Sequence, residues 1–129
     1  MSMLRYAFNP RKEKSARVYG RSLRISGKSS QILCSRITGR SLLRGRRLLN
    51  DLVARRRSLN GKYYTNTAKE MLELLGSAQT NAEAKGLDPE KLSIHASAHK
   101  GFSFWRNRRF KMRRQKRKIC NLQIVLMQR

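Results

Sequence analysis

Acidic residues are scarce in this 129-residue chain: 7 Asp and Glu face 31 Lys and Arg, for a formal net charge of +24. A compact body with that excess repels itself unless counterions or a polyanion neutralise it. A partner with dense negative charge is therefore implied, and RNA, DNA and anionic membrane all qualify. The few acids are also unevenly placed. None lies between Glu13 and Asp51, and none follows Glu90, so these two stretches are the candidate contact surfaces.

Long apolar runs are missing as well. The longest purely aliphatic or Met run is Ile124 to Met127, whereas a spanning helix needs about 18 consecutive apolar residues or more, so no membrane span is expected. The N-terminal Met-Ser-Met-Leu-Arg-Tyr lacks the apolar core of a secretory signal, and the expected compartment is the cytosol or an equivalent reducing one. Cysteine is limited to Cys34 and Cys120. In a basic intracellular chain such thiols are expected to be free, buried, small hydrophobes rather than a disulfide.

The signatures of catalysis are lacking too. No Gly-rich phosphate loop precedes a helix, and Ser, His and Asp show no nucleophile pattern, so neither an enzyme nor a small-molecule substrate or cofactor is expected. His95 and His99 are four apart. On a strand that spacing puts them about 13 Å from one another, and no Cys or acid neighbours them, so no metal site is expected. Glu70 and Glu73 read as solvated charges on an amphipathic helix rather than as an acid–base pair.

What is present fits one domain with a modest core. Residues 1–14 mix Arg and Lys with Asn9-Pro10 and show no periodicity, so they read as a basic N-terminal arm that orders on a partner. Residues 15–129 form the domain. Val18, Leu23 and Ile25 interleaved with Arg17, Arg21 and Arg24 predict a short strand with its basic side chains outward. Ser26 is placed to cap a helix through Ile37, and Ser41 to cap a second one carrying Leu42, Leu43, Leu48, Leu49, Leu52 and Val53 and ending near Arg57. Ala68, Met71, Leu72, Leu75, Ala78 and Ala82 repeat at helical spacing over 68–85, with Thr67 and Glu70 as a capping box and Gly86 as the stop.

Two alternating stretches follow, Leu92, Ile94, Ala96, Ala98 and then Cys120, Leu122, Ile124, Leu126, predicting an antiparallel strand pair. Residues 100–118 lie between them, with ten Lys or Arg, no acid, and Phe102, Phe104, Trp105 and Phe110. No conventional core absorbs such a segment. If both arms continue the strands, the ribbon projects on the order of 30 Å from the body. An isolated two-stranded ribbon is marginal in water, so it is expected to be held by its partner, with aromatic and Arg planes on bases and charges on phosphates.

Several of these segments resemble one family. Ile37-Thr38-Gly39-Arg40 is similar to the helix-linking Ile-Arg-Gly-Lys motif of universal ribosomal protein L twenty-two, called L seventeen in eukaryotes. Asn81-Ala82-Glu83-Ala84-Lys85-Gly86-Leu87-Asp88 resembles the Asn-Ala-Glu-x-Lys-Gly-Leu-Asp signature of its archaeal and eukaryotic branch, and Ala98-His99-Lys100-Gly101 its strand end. Arg5-Tyr6, the Gly20 to Ser26 segment and the closing Leu122 to Leu126 are also similar, so the likeness runs nearly end to end. Two departures stand out. That branch carries a long Gly-rich aromatic insertion where this chain has only Ser58 to Asn66, and a glycine at the hairpin tip that Arg109 to Gln115 lacks.

The resemblance implies an α+β fold, three helices packed on a small antiparallel sheet with a long extended β-hairpin. It further implies a structural constituent of the large ribosomal subunit in the cytoplasm, binding large-subunit ribosomal RNA and lining the nascent-peptide exit tunnel with its hairpin. Neighbouring large-subunit proteins, L four among them, and the nascent peptide are the implied partners. The RNA-binding candidates are Arg17, Arg21, Arg24, Lys28, Arg40, Lys100, Trp105, Arg106, Arg108, Arg109, Arg113, Arg114, Lys116 and Arg117, with Phe110, Lys111 and Met112 facing the tunnel. Two other readings stay open on the residues alone: an independent architectural nucleic-acid-binding protein using the same ribbon, and a membrane-surface peptide, disfavoured because the basic residues are not confined to one helix face.

Overall fold

The computed structural model describes residues 6–105 and 115–128. Its centre is a three-stranded antiparallel sheet in the order β1-β5-β2, with β1 at Ser15–Leu23, β2 at Leu92–Lys100 and β5 at Cys120–Gln128. The last strand is thus the middle one. Alternation decides the faces. Cys120, Leu122, Ile124 and Leu126 join Ala16, Leu92, Ile94 and Ala96 in a buried layer against three helices, α1 (Gly27–Ile37), α2 (Leu42–Val53) and α3 (Thr65–Ala84). The α+β architecture expected from the sequence is the one observed.

Both outer edges of the sheet are closed by other parts of the chain. At β2, Gly39 N–H donates to Ile94 O at 2.8 Å and Ile94 N–H to Arg40 O at 2.9 Å, so the α1–α2 link behaves as a short added strand. At β1, Asn81 Nδ2 donates to Arg17 O at 3.3 Å, and Lys85 Nζ to Ser15 O at 2.9 Å and to Lys12 O at 3.2 Å. Unpaired edges invite pairing with other chains, and these contacts block it.

The face of the sheet away from the helices is also covered. Phe8 stacks on His95 with centroids 3.9 Å apart, and Tyr6 packs edge-on to Tyr19 and His99. A polar relay runs beneath: Ser22 N–H donates to Asn121 Oδ1 at 2.8 Å, Asn121 Nδ2 lies 2.9 Å from His99 Nε2, and Tyr6 Oη lies 2.8 Å from His99 Nδ1. Because Asn121 Oδ1 accepts from a backbone donor, its amide nitrogen must donate to His99. Burial, reinforced by the neighbouring Tyr19, raises the Tyr6 hydroxyl well above the usual phenol range. Val125 under this layer is fully buried.

Helix ends depart from expectation in three places. Ser41 stands at the start of α2 but its hydroxyl makes no capping bond; it is held instead by a bridge to Ser93. The α2 helix stops at Val53 rather than near Arg57, because Arg55 takes a left-handed conformation with φ 57°. Arg56 N–H then donates to Asp51 O and Arg55 N–H to Leu52 O, the paired bonds of a Schellman stop. Finally, α3 begins at Thr65 behind a left-handed Tyr64, which puts Thr67 inside the first turn, buried, so the Thr67–Glu70 capping box does not form. Its other end matches expectation: Gly86 at φ 75° supports bonds from Gly86 N–H to Glu83 O and Leu87 N–H to Ala82 O, and Leu87 tucks into the core.

Cys34 and Cys120 are free and buried. Burial pushes the Cys34 thiol up to about 12, with the nearby Cys120 adding to the shift; Cys120 is raised by burial as well.

Candidate nucleic-acid interface

Beyond Lys100 the strands come together as the root of the hairpin. Gly101 N–H donates to Ile119 O at 2.9 Å, and a short pair, β3 (Phe104–Trp105) with β4 (Lys116–Arg117), sets Trp105 opposite Lys116. Lys116 Nζ lies 5.0 Å from the centre of the Trp105 ring, a cation–π contact. The indole is 60% exposed and Phe102 83% exposed. Neither serves the core.

Two clefts flank this root. One, of about 560 Å³, is lined by Arg24, Ser26, Ser29, residues 64–67, Gln115, Lys116, Arg117 and Lys118; the other, of about 370 Å³, by Ser26, Gly27, Lys28, Gln31, Lys100, Ser103, Lys116, Arg117 and Lys118. They share Ser26 and the 116–118 segment, and together form one trough lined, among the described residues, by six cationic side chains and no acidic one. The starts of α1 and α3 open into it, and neither helix has an acid in its first turn. Unpaired N–H groups at a helix start add positive potential to that of the side chains. The trough is built to attract an anion.

The structure therefore brings together Arg24, Lys28, Lys100, Lys116 and Arg117 from the residues singled out in the sequence, with Trp105 beside them in contact with Lys116. It does not bring in the others that it describes. Arg17 borders a separate cleft of about 290 Å³ with Lys12, Ser15, Asn81 and Lys85, Arg21 is exposed on β1, and Arg40 lies at the β2 edge beside Ile94. Arg106, Arg108, Arg109, Phe110, Lys111, Met112, Arg113 and Arg114 lie outside the described residues.

Lys118, Gln115 and the Tyr64–Thr67 helix start belong to the trough but were not singled out from the sequence. Lys118 was legible in principle, being next to Arg117 in an acid-free run; the α3 start was not, because only the fold carries it to the hairpin root. His95 and His99 are engaged by Phe8 and Tyr6, and among the described residues no group of three or more His, Cys, Asp or Glu gathers. No described helix is long and apolar enough to cross a membrane.

Comparison with known proteins identifies a family. The family model described as Ribosomal protein L22p/L17e matches residues 18–127, from within β1 to within β5. The chain belongs to that family. Large ribosomal subunit protein uL22 of Methanocaldococcus jannaschii is 34% identical over 126 residues, covering 82% of this chain and 81% of its own. The protein of the same name from Archaeoglobus fulgidus is 36% identical over 122 residues, covering 78% of this chain and 79% of its own. That of Methanococcoides burtonii is 33% identical over 119.

As a member of the L22p/L17e family, the chain is a structural, non-enzymatic ribosomal protein. Its archaeal relatives also agree with the branch that Asn81 to Asp88 pointed to. In the structure those signature residues do architectural work: Asn81 and Lys85 close β1, Gly86 and Leu87 end α3, and Asp88 accepts from Glu90 N–H at 3.1 Å to start a one-turn helix.

Proposed function

We propose that this cytoplasmic constituent of the large ribosomal subunit binds ribosomal RNA through the trough at the hairpin root and carries the basic hairpin 100–118 into the RNA, its tip lining the nascent-peptide exit tunnel. The observation that carries the reading is the acid-free trough, in which Arg24, Lys28, Lys100, Lys116, Arg117 and Lys118 converge from separate segments. A chain with net charge +24 concentrates cations where a folded polyanion docks. Arg106, Arg108, Arg109, Arg113 and Arg114 extend the same contact along the hairpin, and Phe110, Lys111 and Met112 are the tip residues that meet the nascent peptide. Protein L four is the expected neighbour at that tip.

The test is sedimentation of a tagged full-length copy from its own cells after a high-salt wash, with quantification of each fraction by mass spectrometry. One copy per large subunit supports the reading, and release into the light fractions overturns it. Within assembled subunits, changing Phe110 to Met112 is expected to alter nascent-chain pausing with assembly intact, while neutralising the stem arginines impairs assembly.

A further inference from the structure

We propose that the trough takes an unpaired RNA strand rather than a duplex, with phosphates among Arg24, Lys28, Lys100, Lys116 and Lys118 and one base stacked on Trp105. This rests on the RNA-binding reading above and specifies the form of RNA at that site.

Shape is the first argument. The trough is concave, and its two parts, about 560 and 370 Å³, have the size of pockets that enclose a small ligand, about 300–1,000 Å³. A duplex is a convex rod whose wide minor groove is met by surfaces that lie across it. A single strand is narrow enough to enter, and its phosphates can follow the line of cations past Ser26 from one part to the other.

The aromatic tied to the trough through Lys116 is the second. Trp105 is more than half exposed and stands outside the core, held by the β3–β4 pairing and by Lys116 over its ring. A flat aromatic beside a track of cations is the arrangement that stacks an unpaired base while its phosphate meets the neighbouring charge. Bases in a duplex are already stacked on each other and cannot use it.

The chain holds one tryptophan, so its fluorescence reports the site. Purified full-length protein is titrated with a short oligouridine, with a duplex RNA of equal phosphate number, and with inorganic phosphate. Saturable quenching by oligouridine alone is expected. Labelled oligouridine then gives affinity for variants: Trp105→Ala is expected to weaken binding about tenfold, and Lys28→Gln with Lys100→Gln to lower the slope of log affinity against log salt by about 1.4, two contacts at about 0.7 each. Quenching by the duplex equal to that by the single strand, or an unchanged slope and affinity in these variants, overturns the inference. If the protein sediments with the large subunit yet oligouridine fails to quench Trp105, the single-strand inference falls while the RNA-binding reading stands.

Discussion

Thr38 closes the edge of β2 at Ala96. Its hydroxyl accepts from Ala96 N–H at 3.2 Å, donates to Cys34 O at 2.6 Å at the end of α1, and lies 3.2 Å from Ala96 O. One side chain thus ends a helix and seals a strand.

Thr38→Val keeps the shape and removes the hydroxyl, leaving Ala96 N–H without its partner. A loss of about 1–2 kcal/mol is expected in urea unfolding, and Thr38→Ser should recover most of it. Equal stability of the Val variant would show that the edge is satisfied by other means.

Lys85→Met removes the donor that engages Ser15 O and Lys12 O. Its ammonium is exposed, so solvent replaces part of the interaction, and a loss of about 1 kcal/mol is expected. Hydrogen exchange should show faster opening of β1 than of β2; uniform exchange across both strands would contradict the assignment.

Gly45 of α2 faces β2, and a methyl there would run into Ile94 Cδ1, which is itself buried. Gly to Ala inside a helix gains about 1 kcal/mol in propensity, while overpacking costs about 1–3 kcal/mol. The cost wins. Gly45→Ala is expected to lower the unfolding midpoint, and pairing it with Ile94→Val should restore stability by making room.

Cys34 gives a pH dependence with a definite sign. Its ordinary value near 9 is raised to about 12 by burial, so the unfolded chain ionises first. The thiol's contribution is complete below about pH 9 and is lost as pH rises through 12, at up to about 1.4 kcal/mol per pH unit. Denaturant unfolding between those limits should fall more steeply for the native chain than for Cys34→Ala; parallel curves would mean the thiol is not buried in solution.

Much of this fold is written in local pattern. The alternations at Leu92 to Ala98 and Cys120 to Leu126, the cap at Ser26 and the stop at Gly86 each depend on neighbouring residues, and each appears where the pattern puts it. What escaped the sequence depends on distant ones. An arginine at a left-handed helix stop carries no glycine flag, and Arg55 is compensated by a guanidinium 5.8 Å over the Tyr63 ring, a contact eight residues away. Likewise the start of α3 follows from the strained Tyr64 rather than from Thr67. The trough was legible only in part: Lys100, Lys116 and Arg117 stand in one basic run, but Arg24 and the two helix starts reach it only once the sheet has formed.

The position of β5 bears on the timing of synthesis. β1 and β2 do not touch each other in the sheet; each pairs only with β5, from Ser15 opposite Met127 to Leu92 opposite Gln128. The strand that joins them follows β1, β2 and all three helices in the sequence, so the helices can form as the chain emerges while the sheet waits for β5. Sheet closure therefore waits on the synthesis of β5, and a copy that stalls inside the hairpin has neither its central strand nor the 116–118 side of its cationic trough.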